Sequence, residues 1–254
     1  MIRQVGKAVF AAADLFLPCP RGPRILIYHR VGVEVGRQME VTVSDFNWQL
    51  DWLMENREVV DLDTAVERWV EPGSESLVVL TFDDGYRDTY ATAFPYLKER
   101  GLPMTLYLAT KTIGDNGHIT WGEVEEMVST GLVTVGAHTH RHRDLRHASD
   151  REVEEELTMS NRLIGNRIGV LPRHFAYPWG YWSRSADSIV RQHYETAVLG
   201  APPPRTRFDS TLDPYLIHRY PVQLSDGRWF KARLEGGLLI EEGVRRLLRG
   251  YRGP

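Results

Sequence analysis

Leu77-Val78-Val79-Leu80-Thr81-Phe82-Asp83-Asp84-Gly85 joins an unbroken apolar run to two adjacent carboxylates and a glycine. A short apolar run bounded by turn chemistry reads as a strand buried on both faces, the usual state in a parallel sheet. Neighbouring strand residues point to opposite faces. Asp83 and Asp84 can therefore share one pocket only if the chain turns where the strand ends, as Gly85 permits. Two carboxylates there suit a division of labour, one binding a cation and the other handling protons. Asp-Asp-Gly is also ordinary turn chemistry, so the assignment needs support from elsewhere in the chain.

The same pattern recurs on either side. Strand candidates are 24–28, 77–82, 104–109, 132–137, 174–177, 196–199 and 216–220. Between them lie helical patterns: one capped by Ser44 and carrying Phe46, Leu50, Leu53 and Met54, then 63–70, 90–100, 120–130, 183–194 and 239–250. Ser149 and Glu152 read as a capping box opening a further helix with Val153, Leu157, Ile164 and Ile168 on one side. Strand–helix alternation over the whole chain predicts a mostly parallel sheet with helices outside. This number of strands suits a barrel-like β/α closure, with an open doubly wound sheet as the rival. No internal repeat and no second domain are visible, and Pro202-Pro203-Pro204 reads as a rigid surface loop.

Three more strand ends carry chemistry. His138-Thr139-His140-Arg141-His142 follows an apolar strand, and if the chain turns helically there, His138 and His142 fall on one face and can share a metal while His140 points elsewhere. Phe175-Ala176-Tyr177-Pro178-Trp179-Gly180 breaks a strand at Pro178, and such a loop can aim a backbone N–H into a pocket. Tyr181 and Trp182 extend an aromatic cluster able to stack on a sugar ring. Ile25-Leu26-Ile27-Tyr28 runs into His29, although a single histidine at a strand end is ordinarily structural. All four sites sit at C-terminal strand ends, which form one rim in parallel β/α folds. An aspartate, two histidines, a second aspartate and a third histidine on that rim describe a metal hydrolase.

Composition narrows the field. The chain has 254 residues, 42% of them hydrophobic, enough for one large α/β core. A net charge of −3 gives no basic excess for nucleic acid. Cys19 is the only cysteine, so no internal disulfide forms, which fits a reducing compartment. At the N-terminus Arg3 and Lys7 precede Val9-Phe10-Ala11-Ala12-Ala13, and Asp14 interrupts the run before Leu15-Phe16-Leu17. The stretch is too short to span a bilayer and lacks a clear cleavage site. Residues 1–22 are expected to form a helix on the domain or a peripheral contact on a membrane surface, with residues 23–254 as the catalytic domain. A cytoplasmic or membrane-peripheral location is expected over a secreted one.

The motifs Thr81-Phe82-Asp83-Asp84-Gly85-Tyr86, His138–His142 with Arg143-Asp144-Leu145, and Phe175–Gly180, in this order, resemble the polysaccharide deacetylases of carbohydrate esterase family four. The resemblance runs from about Arg24 to about Val222 and includes Trp121-Gly122-Glu123 and 131–137. It implies an α/β fold, a distorted (β/α) barrel of about seven parallel strands. It also implies removal of N-acetyl groups from an acetylated amino-sugar glycan with a divalent metal, zinc above all. By that resemblance Asp83 is the general base, Asp84, His138 and His142 are the metal ligands, and Thr139 steadies their loop. Trp179 supplies a backbone N–H to the oxyanion, and Tyr177, Pro178 and Trp182 face the substrate.

Two departures stand out. The family often has an arginine two residues before the third motif's proline, where it orients the base; this chain has Ala176, leaving Arg219 or Arg173 to substitute. The late strand whose histidine acts as general acid is missing from the C-terminus. Residues 25–29 look like that strand moved to the front, as in a circular permutation, which makes His29 the expected acid. Two competing readings use the same scaffold: an amidohydrolase opening a small cyclic amide or imide, and a catalytically impaired glycan-binding relative.

Overall fold

The structure, a computed structural model, describes residues 22–32, 39–200, 213–223 and 227–235. The expected N-terminal surface helix, the Pro202–Pro204 loop and the helix at 239–250 lie outside the described residues.

The main sheet is parallel throughout. Its strands are β1 (Arg24–Tyr28), β4 (Glu58–Val59), β5 (Leu77–Phe82), β6 (Met104–Leu108), β7 (Val133–Ala137), β8 (His174–Ala176), β9 (Thr196–Val198) and β10 (Tyr220–Pro221). The order is β10-β1-β5-β6-β7-β8-β9, with short β4 paired to the start of β5. The two outer ends meet. Leu199 N–H donates to the Ile217 carbonyl at 2.7 Å and Ile217 N–H to the Ala197 carbonyl at 3.2 Å, while three residues on Tyr220 pairs with Leu26. The segment 217–221 thus bridges β9 to β1 and closes a distorted seven-stranded barrel, which excludes the open doubly wound sheet. The expected last strand at 216–220 is there in broken form, one bridge at Ile217 and then β10. Two residues of β2 (Arg30–Val31) and two of β3 (Glu40–Val41) make a separate parallel pair.

Strand parity sorts the core into two layers. Leu26 and Tyr28, Val78, Leu80 and Phe82, and Leu106 and Leu108 pack outward under the helices. Ile25, Val79, Tyr107, Ala176, Val198 and Ile217 form the other cluster, inside the barrel, joined by Leu62 and Ala65 from helix Leu62–Glu67. All six residues of β5 are buried, which is why its sequence is continuously apolar instead of alternating. Thr81 and Asp83 share the parity of Val79, so the barrel interior leads directly to Asp83.

The interior has a tight spot between β6 and β7. A Cβ built on Gly136 would lie 2.4 Å from Cδ1 of the fully buried Tyr107 ring. Overfilling a packed core costs about 1–3 kcal/mol. Gly136→Ala is therefore expected to destabilise the fold by that amount, read as a lower urea midpoint at unchanged m-value; an unchanged midpoint would show that the Tyr107 ring has room to move.

Local chemistry moves several helix boundaries. Thr42, not Ser44, caps helix Val43–Asn56, its hydroxyl accepting from Asp45 N–H at 3.0 Å. The helix expected over 90–100 begins as a wide π turn, Thr89–Ala93, before helix Phe94–Glu99. Pro95 supplies no amide hydrogen to an i→i−4 bond, and the turn widens just ahead of it. The capping box at Ser149 and Glu152 forms as expected and opens helix Asp150–Ile168. No helix among the described residues is long and apolar enough to cross a membrane.

Candidate active site

Four non-glycine residues have positive φ among those described: Asp84 (71°), Thr139 (62°), His142 (54°) and Trp179 (61°). All four belong to the rim motifs at the ends of β5, β7 and β8. Left-handed backbone at non-glycine residues is strained and persists only where surroundings enforce it. At Asp84 it turns the chain so that consecutive aspartates reach one pocket. Gly85, also left-handed, packs against Leu108, Ile113 and Ile119, and a Cβ there would come within 3.0 Å of Leu108.

Asp84, His138 and His142 converge, with one candidate ligand atom from each lying within 4.8 Å of the others. Asp84 Oδ1 is 3.4 Å from His138 Nε2 and 3.2 Å from His142 Nε2. His138 Nδ1 is 2.7 Å from the Ala176 carbonyl, an acceptor only, so Nδ1 carries the hydrogen and donates it. In neutral His138 the Nε2 lone pair then faces Asp84, the arrangement that fixes a metal-binding tautomer. Asp84 Oδ1 is buried and accepts no well-formed hydrogen bond. One orphaned carboxylate oxygen beside two imidazole nitrogens is a donor set that a divalent cation satisfies, and three protein ligands leave room for water and substrate.

The three candidate ligands shift one another. Burial would raise the Asp84 carboxyl, but His138 and the charges of His29 and His142 hold it well below the usual carboxylate range. Burial would lower His138, but Asp84 and Asp83 outweigh it and raise the imidazole. At His142 burial wins, helped by His138 and opposed by Asp84, and the ring is pushed down to about 4.

Asp83 stands beside this triad. Its Oδ2 is 4.0 Å from His138 Nε2, and both its oxygens are taken by Arg219, Nη1 to Oδ1 and Nη2 to Oδ2, each at 2.7 Å. Arg219 is itself anchored by Nε donating to the Leu199 carbonyl at 3.1 Å and by Nη1 donating to the Thr81 hydroxyl at 3.0 Å. Asp83 and Arg219 are 3% and 1% exposed, so this is a buried bidentate pair. Burial would raise the Asp83 carboxyl; the Arg219 charge and then His138 overcome it and hold the group below its ordinary value. Of the two arginines considered from the sequence, Arg219 is the one in contact. Arg173 binds Asp63 and Glu195 instead.

His29 follows β1, whose Tyr28 pairs with Phe82, so His29 lies in register with Asp83. Asp83 N–H donates to the Tyr28 carbonyl at 3.1 Å, and the His29 charge is felt at both aspartates. Trp179 is 64% exposed, its ring edge-on to His142 with centroids 4.8 Å apart. Thr139 is buried, its hydroxyl accepting from Arg143 N–H at 3.2 Å, and His140 turns away to the Thr110 hydroxyl, as expected.

The aromatic loop differs from the sequence expectation. Tyr177, expected to face substrate, is fully buried against Phe175, and its hydroxyl donates to Asp187 at 3.3 Å. As the second residue after Phe175 it keeps the outward, helix-facing parity of the strand. Pro178 is buried too, and Trp182 is partly buried against the main core cluster. Trp179 is thus the member of this loop with a largely open side chain. Thr81 and the Ala176 carbonyl were missed from the sequence. Thr81 could have been found from its parity with Asp83, but a main-chain carbonyl leaves no sequence signal.

Comparison with known proteins agrees with this geometry. The sequence model of the polysaccharide deacetylase family matches residues 71–198, half of the chain. YxkH of Bacillus subtilis (strain 168), which carries a provisional polysaccharide deacetylase name, is 28% identical over 208 residues, covering 80% of this chain and 71% of YxkH. The poly-beta-1,6-N-acetyl-D-glucosamine N-deacetylase of Staphylococcus epidermidis is 27% identical over 160 residues, and the match takes in 57% of this chain and 55% of that enzyme. Among solved structures, IcaB from Ammonifex degensii superposes with a TM-score of 0.69 at 26% identity, over 85% of this chain and 97% of that one. The Streptococcus pyogenes deacetylase PplD shares the fold, with a TM-score of 0.75 at 22% identity over 85% and 99%. The family match spans the strands that deliver both aspartates and both histidines, and by that match this chain belongs to the polysaccharide deacetylase family.

Proposed function

We propose that this chain removes N-acetyl groups from an acetylated amino-sugar glycan by metal-assisted hydrolysis, with Asp84, His138 and His142 as the ligands. The observation that carries the reading is a second carboxylate, Asp83, held by Arg219 beside the triad but outside it. One acid to hold a cation and another to move a proton is a division of labour that suits metal-assisted amide hydrolysis. Two imidazoles and one carboxylate with open positions suit zinc. When bound, zinc polarises the acetamide carbonyl and acidifies water.

The chain's own residues do the rest. Asp83 takes a proton from the attacking water as the carbon–oxygen bond forms. The Trp179 N–H is the protein donor to the resulting oxyanion. His29 gives a proton to the amine as the carbon–nitrogen bond breaks, because an unprotonated amide nitrogen is a very poor leaving group. The products are acetate and a free amino sugar. Arg219 keeps Asp83 ionised and aimed, the task of the arginine missing at Ala176.

The test is acetate release from a panel of N-acetylated glycans, beginning with poly-β-1,6-N-acetyl-D-glucosamine, the named substrate of the staphylococcal relative. Chelation is expected to stop release and zinc to restore it. Release that survives complete chelation would remove the metal from the reaction, and a cyclic imide opened in preference to every glycan would replace this reading with the amidohydrolase one.

A further inference from the structure

We propose that Glu156 is a positioning residue for the metal site, acting through the main chain of the loop that carries His142. The inference rests on the metal-site reading above. Thr139 and His142 both hold left-handed backbone, and such residues need outside contacts to stay there. The peptides between them are held from both sides. Lys111 N–H donates to the His140 carbonyl at 2.8 Å. On the other side Arg141 N–H donates to Glu156 Oε2 at 2.7 Å, and Arg141 Nη1 donates to Glu156 Oε1 at 2.8 Å. One carboxylate thus grips both the backbone and the side chain of the residue just before His142.

Glu156 is 1% exposed and sits in helix Asp150–Ile168. It belongs to none of the site's contacts with Asp83, Asp84, His138 or His142 described above. A buried carboxylate must keep its donors, because leaving it unpaired is expensive. One turn earlier on the same helix face, Glu152 takes Arg143 Nη2 at 2.7 Å. The helix therefore pulls on Arg141 and Arg143, on either side of His142, and leaves the imidazole facing Asp84. The two grips are unequal. Glu152 and Arg143 are each 39% exposed, and a solvated pair of this kind contributes little. The buried Glu156 grip is the one that sets the loop.

The experiment measures zinc affinity of the full chain by competition with a chromogenic chelator, alongside kcat and KM for deacetylation. Removing the partner that orients a ligand weakens metal binding about 10–100-fold, which is the result expected for Glu156→Ala. Glu156→Gln keeps an acceptor for the Arg141 N–H but loses its charge, and is expected to fall between wild type and alanine. Arg141→Met removes a half-exposed side chain while the Arg141 N–H remains as a donor to Glu156; it is expected to weaken zinc by about threefold or more, and Arg143→Met by less than about threefold. At saturating zinc, kcat should fall while KM stays within about twofold. Zinc affinities of Glu156→Gln and Arg141→Met both equal to wild type would overturn the proposal. So would a raised KM at unchanged zinc affinity, which would assign the cluster to the glycan. A wild type that binds no zinc overturns the metal-site reading itself, and this inference with it.

Discussion

Asp83→Asn is expected to slow acetate release by about 10²–10⁴-fold, the usual contribution of a positioned acid–base group, while zinc affinity stays at the wild-type level. The separation follows from the geometry. Asp84 Oδ1 lies 3.2–3.4 Å from the two imidazole nitrogens, whereas Asp83 is 4.0 Å from the nearer one and has both oxygens engaged by Arg219. Asparagine has the same shape and keeps one oxygen for the guanidinium, but its amide cannot take a proton from water. Asp84→Asn should behave in the opposite way, losing metal first and turnover as a consequence. Metal content and acetate release measured on the same preparations distinguish the two. Near wild-type turnover in Asp83→Asn would mean that the water's proton goes elsewhere; lost zinc would mean that Asp83 is a ligand.

The rim was legible because it is written in runs. An apolar strand ending in Asp-Asp-Gly, another ending in a histidine pair four apart and a third ending in Pro-Trp-Gly carry their own positions, since parallel β/α folds gather C-terminal strand ends. The barrel followed from the same alternation. The closing strand was harder to read. Ile217 reaches β9, but the pairing to β1 begins only at Tyr220, and no local propensity says that one short segment serves two neighbours in turn.

Other parts were hidden for definite reasons. Side-chain parity assigned Tyr177 to the helix-facing core, whereas an aromatic beside Pro-Trp-Gly suggests a binding surface when read as a loop. Positive φ is uncommon for any residue with a Cβ, least so for Asp84 and His142 and most so for β-branched Thr139 and bulky Trp179, so propensity gives little sign of it. These four positions are where local rule and global structure disagree, and they coincide with the chemistry. The acid that holds Arg141 was hidden for another reason: Glu156 falls at the edge of the Val153–Leu157 face, where a glutamate reads as a boundary charge until its burial is known.

Arg219→Met is expected to destabilise the metal-free protein by about 3–5 kcal/mol, because it strands a buried carboxylate. That is a large part of the roughly 5–15 kcal/mol that holds a domain folded. The double variant Arg219→Met with Asp83→Asn should be more stable than the single one, since no charge is left unpaired, and urea unfolding of the four proteins gives the coupling directly. Acidity supplies an independent check. In the wild type the folded-state pKa of Asp83 lies below its unfolded value, which is near 4. The pair's stabilisation is therefore complete above pH of about 4 and is lost as pH falls through the depressed value. Without Arg219 the largest opposition to burial is gone, and the Asp83 carboxyl moves up. The penalty in the variant is then full above that raised value and vanishes on protonation. The stability gap between wild type and Arg219→Met should accordingly narrow as pH is lowered from 7 towards 4. A gap that stays constant over that range would mean that Asp83 does not depend on Arg219 for its charge, and that the guanidinium only fills space inside the barrel.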